Sequence, residues 1–494
     1  MAKERIESDD KDSVVGGGRS RRFLPARPER GRFERAIKDF DIPQEALERL
    51  SKEEARVFGL LTSVVSRVES LFALQESPDE RAKFYPHGIR REEVEKQAES
   101  KPELLSPYTV VEIAPDGELR ARSMLDEYRP EIQKRQLVRT LREAANIAGR
   151  GKRKDEKLRD YLKAKARWLE TGDLEDFKAS DRIWLQRDTQ PTIGFVFGLY
   201  DSYLDKFLGR KFSWWASAGL LDREATRNAQ WFLDVYTKAL EGKHNITLPN
   251  QKVRVDHTRL YAGLAPRMDW SAVSMFCEAE LRKIGSLHVI FEPKYLEKFF
   301  HEKLPAFREF IDQNKVRGMT DGFILTAGLR LYIAHESGHS ITEAIPMDAD
   351  LESRLQDEKD WIEEEFCELS ALTTYREIPY VSRSESELAM AMSLIDGYQD
   401  YVRRPRREVY YKAYTHVPTY LIRNGVLRIE DGAFTWDDTQ EVFDSLQEQY
   451  KEVENIFLYG KSRDAQAYHL RNFNPEIYNY LLTKQSYPDT FIES

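Results

Sequence analysis

Apolar and polar positions run along this chain in two rhythms, which divide it into helical and β-rich stretches. From Phe40 to Gln75, apolar residues recur every three or four positions (Leu47, Leu50, Val57, Leu60, Leu61, Val64, Val68, Leu71), which predicts amphipathic helix. Tyr108 to Ile113 is β-favouring and runs into Pro115-Asp116-Gly117, so a hairpin is expected. Charged amphipathic helix returns from Pro130 to Thr171. Arg182-Ile183-Trp184-Leu185-Gln186 reads as a short strand. Ile193 to Tyr203 and Lys211 to Leu221 are rich in aromatic and β-favouring residues, with glycines at 194, 198, 209 and 219, and predict a small sheet or barrel. Val253-Arg254-Val255 and His288-Val289-Ile290-Phe291 would join it. Helix dominates from residue 294 to the end, interrupted at Val426 to Trp436 by a turn at Glu430-Asp431-Gly432. No internal repeat is present. The expected class is α+β in two lobes, with a mixed helical and β-rich lobe over 33–270, a mostly helical lobe over 271–494, and an active site in the cleft between them.

Composition narrows the function classes. An apolar fraction of 41% and a charged fraction of 33% describe a globular chain with a heavily solvated surface. The net charge of -9 comes from 76 basic and 85 acidic residues, so no overall field points to nucleic acid. Residues 1–32 lack the apolar content for a core and read as a disordered basic tail, with arginines clustered from Arg19 to Arg35. Cys277 and Cys367 are the only cysteines, so a disulfide framework is not expected and a reducing compartment is. No uninterrupted apolar run reaches the ~18 residues of a membrane span. Ser20-Arg21-Arg22-Phe23-Leu24 resembles a twin-arginine signal, but Pro25-Ala26-Arg27-Pro28-Glu29-Arg30 follows it in place of a hydrophobic region. A cytoplasmic protein is therefore the expectation.

Chemistry enters with His335-Glu336-Ser337-Gly338-His339. On a helix, residues i and i+4 lie one above the other, so His335 and His339 can reach one metal ion. Glu336 then projects beside the same ion, where it can take a proton from an activated water, which is the chemistry of a zinc metallopeptidase. The segment Phe323 to Ile345 fits a buried helix ending at Pro346. Two histidines serving only the core would leave Glu336 an acid without an evident partner in an apolar helix. Zinc needs a third protein ligand and an open position. Trp361 to Leu369 offers carboxylates on a second helix, where Glu364 and Glu368 share a face as ligand and as orienting partner of a histidine. Glu365 is the rival ligand, because sequence does not fix the helix rotation to better than one residue. Cys367 reads as a packing residue. His416 lies in a helical stretch containing Pro418 and stopped at Asn424-Gly425.

Three blocks in order over residues 180–475 resemble the dipeptidyl peptidase III family of zinc exopeptidases. The first runs from Ile193-Gly194-Phe195 through Gly198-Leu199-Tyr200-Asp201-Ser202-Tyr203 to Gly209-Arg210. The resemblance implies that Asp201 holds the peptide's free amino terminus and that Tyr203 stabilises the oxyanion. The second block is the metal motif, which here spans five residues where the family usually has six. It implies His335, His339 and Glu364 as ligands of one Zn²⁺ per chain, Glu336 as the base, and Glu368 as the partner of a histidine. The third, Ala413 to Gly425, makes His416 the counterpart of a functional histidine that aids the transition state or proton transfer. Ala262-Gly263-Leu264-Ala265-Pro266 lies where the family has asparagines that bind the peptide amino terminus. The expected activity is release of dipeptides from the amino terminus of short peptides, without nucleic-acid or membrane partners. The alternatives are a peptide-binding scaffold with little turnover and a zinc aminopeptidase or oligopeptidase of other specificity.

Overall fold

The computed structural model describes residues 38–76, 81–150, 153–186, 192–202, 204–267, 271–275, 279–344, 351–402 and 408–484. The basic tail, Tyr203, Cys277 and Pro346 lie outside the described residues.

The amino-terminal helical pattern divides at Ser51. Its hydroxyl accepts from the Glu54 backbone N–H while the Glu54 carboxylate accepts from the Ser51 N–H, a capping box that starts α1 (Lys52–Gln75) afresh. α1 is the one described helix apolar and long enough to cross a membrane, but the side chains of Val57, Leu61, Val64, Val68 and Leu71 are buried in the core. The expected hairpin forms as β2 (Thr109–Ile113) and β3 (Leu119–Ser123), after a two-residue β1 (Lys38–Asp39). The charged stretch that follows includes α2 (Leu137–Ala148) and α3 (Glu156–Thr171).

Residues 182–186 are not a strand. They close α4 (Leu174–Leu185), whose start is fixed by the Asp173 carboxylate accepting from the Glu175 N–H. Trp184 and Leu185, which suggested β structure, are buried as the apolar side of this helix.

The sheet contains β4 (Ile193–Tyr200), β5 (Ser213–Leu221), β6 (Asn250–Ala262), β7 (Ala272–Met275) and β8 (Gly285–Phe291) in the order β4-β5-β6-β8-β7, with β1 also on β6. Neighbours are antiparallel except β6 and β8, which are parallel with Asp256 opposite Phe291. β4, β5 and β8 are buried at every position, as expected of strands covered on both faces. Leu287, Val289 and Phe291 of β8 enter a core shared with α1, α2 and α3. Ile290 of β8, with Val253 and Val255 of β6, enters a second core. The sheet thus separates two hydrophobic cores, one per lobe.

The second core holds α5 (Arg223–His244), α6 (Glu292–Lys298), α7 (Asp321–Gly338), α8 (Lys359–Tyr375), α9 (Arg383–Val402), α10 (Glu408–Arg423), α11 (Thr439–Tyr459) and α12 (Ser462–Asn472). α5 precedes residue 270 yet packs on α7 and α8. The helix expected to run to Ile345 ends instead at Gly338, where His339 is the C-cap and Ser340 N–H donates to Ser337 O. The turn expected after residue 426 joins β9 (Arg428–Glu430) to β10 (Ala433–Thr435). Asp431 and Gly432 both take positive φ (52° and 86°), as a two-residue hairpin turn requires.

Candidate metal centre and active-site cleft

α7 and α8 pack together closely enough that a Cβ on Gly338 would lie 3.1 Å from the Cα of Cys367. This approach brings the imidazoles of α7 to the carboxylates of α8. One donor atom each from His335, His339 and Glu364 lies within 4.8 Å of the others. His335 Nε2 is 3.1 Å from Glu364 Oε2, and His335 Nδ1–H donates to Glu368 Oε2 at 3.1 Å. His339 Nε2 lies 3.9 Å from Glu364 Oε1. Its Nδ1 faces Glu363 at 3.5 Å and Cys367 Sγ at 3.6 Å.

This donor set fits a metal ion. Two imidazoles and one carboxylate converge, one imidazole is oriented from behind by Glu368, and Glu368 Oε1 has no hydrogen-bond partner among the described residues. The electrostatics agree. Burial pushes the His335 imidazole down, but hydrogen bonds to Glu364 and Glu368 outweigh it and hold the ring well above its usual range. Burial likewise acts to raise Glu364, yet its hydrogen bond to His335 and the nearby charge of His339 leave it lowered. The protein has assembled negative charge around two rings, an arrangement that attracts a cation. Glu336 behaves differently: burial raises its carboxyl against the opposing pull of His339 and His335, the shift that a proton-accepting group needs.

The cleft in front of these residues is a cavity of about 390 Å³. His335, Glu336, His339, Glu363, Glu364 and Glu368 line one side, and Tyr200, Asp201, Ser202, Trp215 and β7 line the other. Asp360, Asp396 and Asp400 add to the acidic wall, against only Lys298 and Lys359 among the lining residues. Such a cavity suits metal ions and ammonium groups.

Asp201 stands at the end of β4 with φ of 54°, a left-handed conformation that aspartate tolerates better than most residues. Its Oδ1 accepts from Ser213 Oγ at 3.1 Å, and its carbonyl accepts from Ser213 N–H at 3.0 Å. The preceding Tyr200 is anchored below the cleft: its hydroxyl donates to Asp181 Oδ1 and accepts from Lys165 Nζ, both at 2.9 Å. Lys165 and Asp181 form a fully buried pair at 2.7 Å, which fixes this end of the strand.

Two residues lie elsewhere than the sequence suggested. Glu365, the rival ligand, points away from the histidines on another side of α8, where Oε1 accepts from Tyr468 hydroxyl at 2.5 Å. His416 is not in the cleft. It is fully buried, with Nδ1 2.7 Å from Glu365 Oε2 and Nε2 2.8 Å from His469 Nδ1. α10 instead presents Tyr410 and Tyr414 to the cavity, and the Tyr414 hydroxyl stands 3.5 Å from both ring nitrogens of His335. The four-residue spacing of these stacked tyrosines was the signal available in the sequence.

The two-lobed α+β fold thus places at its cleft a His–His–Glu cluster able to hold a metal ion. Comparison with known proteins narrows the class of the chain. The model of Peptidase family M49 matches residues 116–242, a stretch that includes the Ile193–Arg210 block and ends before the metal-binding helices. Dipeptidyl peptidase III from Caldithrix abyssi superposes with a TM-score of 0.74 at 16% identity, covering 90% of this chain and 94% of that one. The dipeptidyl peptidase III structure from Corallococcus sp. strain EGB gives 0.76 at 16% identity, covering 90% and 92%. No curated protein matches. The chain resembles the dipeptidyl peptidase III (M49) family in sequence over the matched stretch and in fold over nearly its whole length. These findings support a metallopeptidase of the dipeptidyl peptidase type.

Proposed function

We propose that this chain is a zinc-dependent exopeptidase that releases dipeptides from the amino terminus of short peptides, with His335, His339 and Glu364 as the ligands of one Zn²⁺. The observation that carries the reading is that one cavity brings together these three donors, Glu336 and Asp201. When bound, the ion supplies Lewis acidity to the scissile carbonyl and lowers the pKa of a water.

The chain's own residues do the rest. Glu336 takes the proton of the attacking water and returns it to the leaving amine, a role its raised pKa favours. Glu368 holds the His335 ring through Nδ1. The Tyr414 hydroxyl, kept protonated by burial and by Glu368 and Glu364, can donate to the developing oxyanion. Tyr203 shares that role on the family resemblance alone. Asp201 binds the substrate's ammonium group from the sheet lobe, which restricts the enzyme to free amino termini. β7 is an edge strand along the cavity and pairs only with β8 among the described strands, so an extended peptide can hydrogen-bond along it.

The test is Glu336→Ala. Hydrolysis of a free-amino-terminus peptide is expected to fall at least about 100-fold, the lower bound for a general base, with bound metal unchanged. Full activity in this variant ends the reading.

A further inference from the structure

A second cluster of metal-binding side chains lies outside the cleft. Asp222 follows β5, His257 lies in β6 and Glu292 follows β8; one donor atom from each falls within 4.8 Å of the others. None of the three lines the cleft cavity. We propose that His257, Asp222 and Glu292 hold a second divalent transition-metal ion of the Zn²⁺ or Mn²⁺ type, which clamps the roots of α5 and α6 onto the sheet.

The backbone brings the donors together. Asp256 and Phe291 are the last opposed pair of the parallel strands β6 and β8, so His257 and Glu292 are the next residues on each. A register shift on the β5 side, at Ala218/Gly219, lies beside this point. Asp222 is tied to the same place by its N–H, which donates to Val255 O at 3.0 Å. Its Oδ1 accepts from the Glu224 and Ala225 N–H groups, both at 2.9 Å, which leaves Oδ2 facing His257 Nε2 at 3.6 Å. Glu292 contacts Nδ1 of the same ring.

The chemistry suits a metal ion. The three side chains are 15–23% exposed, so they are pre-arranged yet reachable by a solvated ion. Neither carboxylate pairs with a lysine or arginine among the described residues. One imidazole and two carboxylates suit zinc or manganese, with water completing the coordination. Asp222 caps α5 and Glu292 opens α6, and both helices pack into the second core, so an ion here would fasten that lobe to the sheet.

The competing state is a protonated His257 bridging the two carboxylates, and counting metal separates the two. The full-length chain is stripped with a chelator, dialysed against Zn²⁺ and analysed for zinc per chain. Two ions are expected in the parent, one in His257→Gln, one in His335→Gln and none in the double variant. Glu292→Gln, checked for native circular dichroism, gives the same loss without altering the imidazole. An equal zinc count in parent, His257→Gln and Glu292→Gln overturns the proposal. If the proposed catalytic centre fails instead, His335→Gln leaves the count unchanged while His257→Gln still lowers it by one.

Discussion

Replacing Gly338 with alanine would put a methyl group 3.1 Å from both Cα and Cβ of Cys367 and 3.3 Å from its Sγ. Ordinary carbon contacts lie at about 3.5–4.0 Å, so α7 and α8 must part by roughly half an ångström. The nearest atoms cannot turn aside, because Cys367 is fully buried and its Cα is part of the helix backbone. Overpacking of this kind costs about 1–3 kcal/mol. Alanine regains about 1 kcal/mol of helix propensity over glycine, so the net loss of folding stability is small and melting temperature is a weak readout. Metal affinity is the strong one. His335 and His339 are on α7 and Glu364 is on α8, so the separation falls on the donor set, where metal–ligand distances tolerate only about 0.2 Å. A penalty of about 1–2 kcal/mol in the metal-bound state is a factor of about 5–30 in affinity. Competition with a chromophoric zinc chelator measures it. Adding Cys367→Gly removes Cβ and Sγ but leaves the backbone Cα at 3.1 Å, so only part of the lost affinity should return. Parent-like zinc binding in Gly338→Ala, or no recovery in the double variant, refutes the argument.

Three further outcomes are expected. Glu368→Gln removes the carboxylate on His335 Nδ1 and should weaken zinc by about 10–100-fold in the same competition assay; unchanged affinity would deny Glu368 its orienting role. Asp201→Asn should raise KM for free-amino-terminus peptides by about 10–100-fold, the range of a lost charge-assisted hydrogen bond, with kcat less affected. An unchanged KM removes Asp201 from substrate binding. Burial and the neighbouring Lys243 hold His244 down to about 4 from its ordinary 6.5. Between those values the unfolded chain takes up a proton that the folded chain refuses, so this residue's contribution to stability falls as pH drops from 6.5 towards 4. Urea unfolding of parent and His244→Gln should therefore show a gap that shifts in favour of the variant from pH 7 to pH 5; a constant gap contradicts the assignment.

The parts of the site legible in the sequence were those set by local geometry. His335 and His339 lie four residues apart on one helix, so their rings share a face whatever packs against them, and Glu336 is next to the first. Glu364 and Glu365 differ by about 100° of rotation, and only the packing of α8 on α7 decides which one meets the histidines. The same limit governs α10. His416 lies about 200° round the helix from Tyr414, so bringing one to the cleft sends the other into the core against Glu365. Asp201 was visible only through the family block, because nothing local shows that β4 ends opposite α7. The strand expected at residues 182–186 failed for a related reason: a short apolar run fits a strand or a buried helix end, and the Asp173 cap 9 residues earlier settled it. The β-rich character of residues 193–221 was legible, but the parallel β6–β8 pairing was not, since it depends on contacts about 35 residues apart.

The most direct test of the account is mass spectrometry of a free-amino-terminus octapeptide incubated with the purified, zinc-loaded chain, with and without a chelator. The account expects successive loss of two residues from the amino terminus, abolished by the chelator and restored by added zinc. An octapeptide left intact by zinc-loaded protein, or cleaved equally well in the presence of the chelator, would contradict it.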